Sequence, residues 1–212
     1  MKLYTLPPSS YSQKTLIAVI EKNIDVEHIQ VNLFNPEEVT KFREVYPIGK
    51  IPFLVNDDGH PVAESSFIVE YLDMTYDTGP QLIPSDPVMS RKVRFQDRML
   101  DNYLNSPSGS IFFENMKPEA ERNQDNIENW KRLITVSLGF MEENTVSGDY
   151  LVGDSFSLAD ISAAAALQIA NMQVNLQDFP NSAAYFEKLK QRPSVSKVFA
   201  DAEPFYAQIA GG

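Results

Sequence analysis

Near residue 77 the hydrophobic pattern changes character, and that change limits the fold more than any other property of the chain. Before it, strand-like and helix-like segments alternate: "KLYTL" reads as a strand, "SQKTLIAVIEKN" as a helix, "VEHIQVN" as a strand and "PEEVTKFREV" as a helix. "IPFLVND" and "HPVAE" follow as two short strands joined across "DDGH", whose Asp58-Gly59 dipeptide favours a tight hairpin. "SSFIVEYLDMTY" then places Phe67, Ile68, Tyr71 and Leu72 on one helix face. The order βαβαββα joins a parallel pair through a helix and adds an antiparallel edge, which predicts a mixed four-stranded sheet with helices on both sides. "DTGPQLIPSDP", holding Gly79, Pro80, Pro84 and Pro87, ends the alternation. Helices alone follow, expected at about 87–105, 119–145, 157–172, 180–191 and 194–202, with breaks at Pro107, Pro118, Gly148, Pro180 and Pro193. The expected division is therefore an α/β domain over 1–77, a linker over 78–87 and an all-helical domain over 88–212.

Several function classes fall away on composition. The chain has no cysteine and only two histidines, His28 and His60, so a disulfide scaffold, a thiolate zinc site and a protein thiol are excluded, and no metal site is expected. Any thiol chemistry must use a thiol brought by the substrate. A net charge of −11 argues against a nucleic-acid partner, because neutralising phosphates needs clustered cations. The one basic cluster, Arg91, Lys92, Arg94 and Arg98, puts its arginines near one helix face and reads as a solvated or subunit-facing stripe. With no apolar run of about 18 residues and no secretory pattern at the amino terminus, a soluble cytoplasmic protein without membrane contact is expected.

One helix start is legible residue by residue. In "FSLADI", Ser157 and Asp160 have capping-box spacing, and Phe156 with Ile161 that of a hydrophobic staple. The following "ISAAAALQIA" is nearly free of charge and is expected at the centre of the helical domain.

Five stretches in order, "SSYSQKTLIAV", "GKIPFL", "ESSFIVEYL", "FSLADI" and "RPSV", resemble the soluble glutathione transferases, of the bacterial, serine type with zeta- and theta-like features. The resemblance spans essentially the whole chain. It implies a thioredoxin-like first domain that binds glutathione as co-substrate and a helical-bundle second domain. In such a fold the Ile51–Pro52 bond is expected to be cis, turning the Ile51 amide and carbonyl outward to pair with an extended peptide. Lys50 lies beside them. Glu64 and Ser65, with Ser66, form a helix start able to hold the ammonium and carboxylate of the γ-glutamyl group; the plainer reading makes Ser65 a cap and leaves Glu64 in water.

In the thioredoxin fold the loop after the first strand carries two cysteines three positions apart, the spacing at which Ser9 and Ser12 stand here. Similarity to the family's "SSCxWR" and "SxxCR" patterns assigns Ser9 the role of donating to the glutathione thiolate. Ser10 and Tyr4 are the alternatives, while Ser12 and Tyr11 pack against the helix or cap it. The chain departs from the family at "NPEEVTKFREV", where Glu37 and Glu38 stand in place of a basic residue that meets the glycyl carboxylate. Lys41, Lys50 or Gln13 is left to hold it. Phe112, Phe113 and Met116 either line the pocket for a small apolar electrophile or belong to the core, since Phe112 and Met116 are one helical turn apart.

The resemblance implies a homodimeric glutathione transferase. A glutathione-dependent isomerase of the zeta kind and a non-catalytic interaction module of the same fold are the other two readings. The acidic "NPEEV" favours the module, and the intact "ESS" and "GKIP" speak against it.

Overall fold

The computed structural model describes residues 1–144 and 149–210. Met1–Ile83 together with Pro193–Gly212 make one compact unit, and Pro84–Arg192 the other. The elements of the first unit run β1 (Lys2–Thr5), α1 (Ser10–Glu21), β2 (Glu27–Gln30), α2 (Pro36–Val45), β3 (Phe53–Val55), β4 (Pro61–Ala63) and α3 (Ser65–Thr75). The sheet order is β2-β1-β3-β4, with β1 and β2 parallel and the other pairs antiparallel, which is the expected thioredoxin-like arrangement.

Alternation along the strands sorts the core into two layers. Leu3, Leu54 and Val62 are cross-strand partners on one face and are wholly or almost wholly buried. On the other face Tyr4 and Phe53 meet Phe42 of α2, with ring centroids 5.4 and 6.1 Å from Tyr4 to Phe42 and Phe53. Tyr46 stacks on Phe53 at 4.2 Å. The β3–β4 connection is wider than the Asp-Gly pair suggested. Asn56 to His60 form it, because the Asn56 side chain accepts from the Asp58 and His60 amides while Gly59 takes φ +79°.

Residues 78–83 are held on the first unit. Asp73 of α3 accepts from the Leu82 and Ile83 amides, both at 2.9 Å, and from the Lys22 ammonium at 3.0 Å. Gly79 passes so close to α1 that a Cβ there would sit 2.1 Å from the Glu21 carbonyl oxygen, and its φ of +68° also requires glycine. The last helix, α9 (Pro193–Ala210), belongs to this unit too, although the run of helices had suggested grouping it with 88–192. It carries apolar side chains that the sheet needs: Phe205 packs on the Leu6, Val31, Phe42, Ile51 and Phe53 cluster, and Ser194 bonds Glu21.

The second unit contains α4 (Pro87–Leu100), α5 (Ser106–Asn115), α6 (Gln124–Asn144), α7 (Leu158–Asn171) and α8 (Pro180–Lys190). The expected end of the second long helix at 145 and the break at Gly148 fall outside the described residues. Pro107 does not break the chain into separate helices as the sequence suggested. A π-helical turn, Asp101–Asn105, joins α4 directly to α5, with the Ser106 amide reaching back to the Asp101 carbonyl. A proline has no N–H for the carbonyl four residues back and its ring crowds that group, so the helix widens there. The Tyr103 carbonyl finds its donor elsewhere, in the Ser137 hydroxyl of α6 at 3.0 Å.

Helix α7 is buried from Leu158 to Leu167, as its composition implied. Its start is the expected capping box: the Asp160 carboxylate accepts from the Ser157 amide at 2.7 Å and the Ser157 hydroxyl at 2.9 Å, and also from the Leu151 amide and Tyr185 hydroxyl. Arg91, Arg94 and Arg98 are exposed on α4. Among the described residues no helix is long and apolar enough to cross a membrane.

Candidate functional site

Register alone brings the marked stretches together. Tyr4, Phe53 and Ala63 lie in one cross-strand row, so the chain leaving β1 toward Ser9, the chain entering β3 through Ile51–Pro52 and the chain leaving β4 toward Glu64 share one end of the sheet. Ile51–Pro52 is cis. Ile51 lies outside the β1–β3 ladder, whose last partners are Tyr4 and Phe53.

The loop from β1 to α1 contains two prolines, which donate nothing, so every carbonyl around them needs a donor from elsewhere. Each finds one. The Leu6 carbonyl accepts from the Ser9 amide at 2.9 Å, and Pro7 from the Gln13 side-chain amide at 3.1 Å. Pro8 accepts from the Tyr206 hydroxyl at 3.0 Å, and Ser9 from the Gln13 backbone amide at 2.9 Å. Ser9 is the N-cap of α1, with φ −74° and ψ 115°. Its Oγ accepts from the Ser12 amide at 3.3 Å, and among the described residues its O–H donates to no group. The half-buried hydroxyl therefore combines an acceptor role toward the helix with an uncommitted proton, at the positive end of a helix dipole.

The alternatives sit differently. Ser10 is buried at 6% exposure. Tyr4 is half-buried with its ring inside the Phe42–Phe53 cluster. Ser12 is fully buried and its Oγ accepts from the Leu6 amide at 3.2 Å, so of the two roles expected of it, packing or capping, it packs.

Glu64 is exposed and adopts φ +69°, ψ 121°, a left-handed backbone that a non-glycine residue takes at a cost of about 1–2 kcal/mol. It precedes α3 as N-cap without a side-chain capping bond, and the first intrahelical bond is Ile68 amide to Glu64 carbonyl at 2.8 Å. The positive end of α3 thus lies at Ser65–Phe67, where Ser65 is buried at 5% exposure. Ser66 accepts from the Lys14 ammonium at 2.9 Å. Lys14 is wholly buried in α1 and ties the helix of Ser9 to the helix of Ser65, a link that sequence reading missed because a lysine in "QKTLIAV" carries no visible partner.

Among the groups proposed for the glycyl carboxylate, Lys41 and Lys50 are exposed, and Lys50 adjoins Ile51. Gln13 is wholly buried with its amide nitrogen on Pro7, so it braces the loop and does not offer itself to a carboxylate. Glu38 accepts from the Asn32 amide at 2.9 Å and the Asn35 side chain at 3.2 Å, while Asn35 caps the Glu37 amide at 3.0 Å. The Glu38 carboxylate therefore serves the start of α2, and Glu37 stands beside it in the first turn.

Phe112, Phe113 and Met116 belong to the second unit. Phe112 is half-buried and edge-on to Phe113 at 5.5 Å; Phe113 is 59% and Met116 46% exposed, so those two are not core. Tyr206 had no signal in the sequence. Burial pushes its hydroxyl up to about 12, the bond from Gln13 opposing, so it remains a donor across the neutral range.

Families described as "Glutathione S-transferase, N-terminal domain" and "Glutathione S-transferase, C-terminal domain" match residues 3–81 and 104–193. Glutathione S-transferase Z2 of Arabidopsis thaliana is 30% identical over 96% of this chain and 92% of its own length. A probable maleylacetoacetate isomerase of Caenorhabditis elegans is 29% identical over 95% and 94%. A crystal structure of a glutathione S-transferase from Methylobacillus flagellatus KT with GSH bound superposes with a TM-score of 0.84 at 29% identity, covering 93% of this chain and 98% of that one.

Proposed function

The chain belongs to the glutathione S-transferase family, and on that premise we propose that it is a glutathione transferase in which Ser9 stabilises the glutathione thiolate for attack on a small apolar electrophile. The supporting observation is the Ser9 hydroxyl, an N-cap with an uncommitted proton, at the same sheet end as the uncapped Glu64–Ser65 helix start. In this reading the γ-glutamyl carboxylate lies at the start of α3 on Ser65, and its ammonium meets Glu64. The Ile51 backbone pairs with the cysteinyl residue, and Lys50 holds the glycyl carboxylate. Phe112, Phe113 and Met116 contribute to the electrophile pocket. The enzyme acts in the cytoplasm as a homodimer, with the exposed Arg91–Arg98 face of α4 as a contact.

The magnitudes are sufficient. A thiol of pKa near 8.5 is only ~3% ionised at pH 7, and lowering it by two pH units takes about 2.7 kcal/mol. A hydrogen bond to a charged acceptor supplies ~1.5–3 kcal/mol, and a helix start up to ~1–2. Ionising a serine would need far more, so Ser9 is a donor and the sulfur is the nucleophile. The test is a pH titration of bound glutathione by thiolate absorbance near 240 nm. Wild type should ionise at least about one pH unit below free glutathione, and Ser9→Ala should abolish the shift. Bound glutathione that titrates like free glutathione in wild type refutes the role.

A second reading, glutathione-dependent isomerisation, is favoured by the similarity to the probable maleylacetoacetate isomerase. The same thiolate would add reversibly to a double bond and leave again, so product analysis with a cis-enone separates it from net conjugation. Against the interaction-module reading, the Glu38 carboxylate is engaged by the Asn32 amide and the Asn35 side chain at the start of α2.

A further inference from the structure

The Pro8–Ser9 peptide plane is pinned at both ends. Its N–H, from Ser9, donates to the Leu6 carbonyl at 2.9 Å, and its C=O, from Pro8, accepts from the Tyr206 hydroxyl at 3.0 Å. The orientation of that plane sets φ of Ser9 and hence the direction in which its Cα–Cβ bond points. The Gln13 side-chain amide joins the same arrangement, donating to Pro7 at 3.1 Å and touching the Tyr206 oxygen at 3.4 Å. Tyr206 comes from α9, whose interior proline, Pro204, and neighbouring Phe205 bring the chain against the Phe42–Phe53 cluster.

We infer that Tyr206 is a positioning residue for Ser9: by holding the Pro8 carbonyl it fixes the loop from which the Ser9 hydroxyl meets the glutathione sulfur. The inference rests on the role proposed for Ser9. Without the Tyr206 hydroxyl the plane is held at its N–H end alone, through Leu6, and the Pro8 carbonyl loses its donor among the described residues. Rotation of the plane then moves the Ser9 Oγ, and a displacement approaching 1 Å is enough to cost up to ~100-fold in rate. Tyr206 itself touches neither substrate nor reacting atom.

Tyr206→Phe keeps the ring and removes the one donor. In the 240 nm titration of bound glutathione, the variant should ionise at least roughly 0.5 pH units above wild type, a loss of about threefold in thiolate at pH values well below both pKa values. kcat should fall by on the order of tenfold while KM for glutathione moves less than about twofold, because the γ-glutamyl contacts are elsewhere. Gln13→Met, which removes the neighbouring donor and preserves bulk, should shift the titration in the same direction by less. Ser9→Ala is measured alongside. If Ser9→Ala abolishes the depressed ionisation and Tyr206→Phe titrates with wild type, Tyr206 is merely structural and the inference fails while the role of Ser9 stands. If wild type itself shows no depression, both fall.

Discussion

Asp73 ties three groups of the first unit together, and replacing it with Asn tests what that junction contributes. One oxygen takes the Lys22 ammonium at 3.0 Å and the Leu82 amide at 2.9 Å, and the other takes the Ile83 amide at 2.9 Å. The Lys22 and Asp73 side chains are 3% and 5% exposed, so neither charge has water to fall back on. Asn has the same shape but leaves the ammonium without a counter-charge, facing neutral oxygens such as the Pro80 carbonyl at 3.2 Å, and turns one acceptor into a donor facing an amide. Removing one partner of a buried pair costs about 3–5 kcal/mol, because the cost is that of the stranded charge. For a chain of this size that corresponds to a fall in Tm of roughly 6–20 °C. Urea unfolding followed by circular dichroism at 222 nm measures it, with Trp130 fluorescence as a second probe placed in the other unit. Lys22→Met removes the stranded charge, so the double variant should lose at least ~1 kcal/mol less than the sum of the singles. An Asp73→Asn protein within about 1 kcal/mol of wild type, or an additive cycle, would show that solvent or rearrangement satisfies the ammonium and that the reasoning is wrong.

Two further outcomes follow from other carboxylates. Glu142 of α6 accepts from the Asn181 and Ser182 amides at 2.8 and 2.9 Å, capping α8, whose own N-cap is Phe179. Burial, the largest single influence on Glu142, raises its pKa, but these two amides and the Ser182 hydroxyl together hold it below the usual carboxylate range. A depressed folded value stabilises the protein above the unfolded pKa and the benefit is lost as pH falls through the folded one. Glu142→Gln should therefore cost about 1 kcal/mol in urea unfolding at pH 7, with the gap closing below about pH 4. Glu64→Gly should act in opposite directions on two measurements: removing the Cβ from a φ of +69° should raise stability by up to about 1 kcal/mol, while calorimetry should show glutathione binding about tenfold weaker. A variant that binds glutathione as tightly as wild type would remove Glu64 from the site.

What the sequence made legible was what a few adjacent residues determine together. Ser157 and Asp160 form their box because the partners lie three positions apart, and Ser9 caps α1 through an amide three residues on. The succession βαβαββα and the mixed character of the sheet followed from pattern and turn signals. The bracing of the Ser9 loop did not, because Gln13 and Tyr206 are 193 residues apart and neither has an unusual neighbourhood in the chain. Glu38 was read as a departure at the ligand site because sequence shows its charge and not the Asn32 and Asn35 donors that occupy it. Nor did anything local mark the left-handed backbone at Glu64, since a residue other than glycine or asparagine gives no warning of positive φ.

The π-helical turn before Pro107 has a consequence for phase. Each residue of an α-helix advances the side-chain direction by about 100°, and a π turn accommodates one residue more than an α turn over the same arc. A helical wheel drawn straight through from Pro87 therefore loses registration with the real molecule after Asp101, and Phe112, Phe113 and Met116 all lie beyond that point. The bulge thus acts as a fixed offset between the two ends of one continuous rod. The face that Val93 and Asp97 turn into the interior and the direction of every aromatic of α5 would therefore both survive deletion of a single residue between 101 and 105, since an α turn would then span the arc that the π turn spans. A change of one residue in length is thus absorbed at this point without turning the far end of the rod.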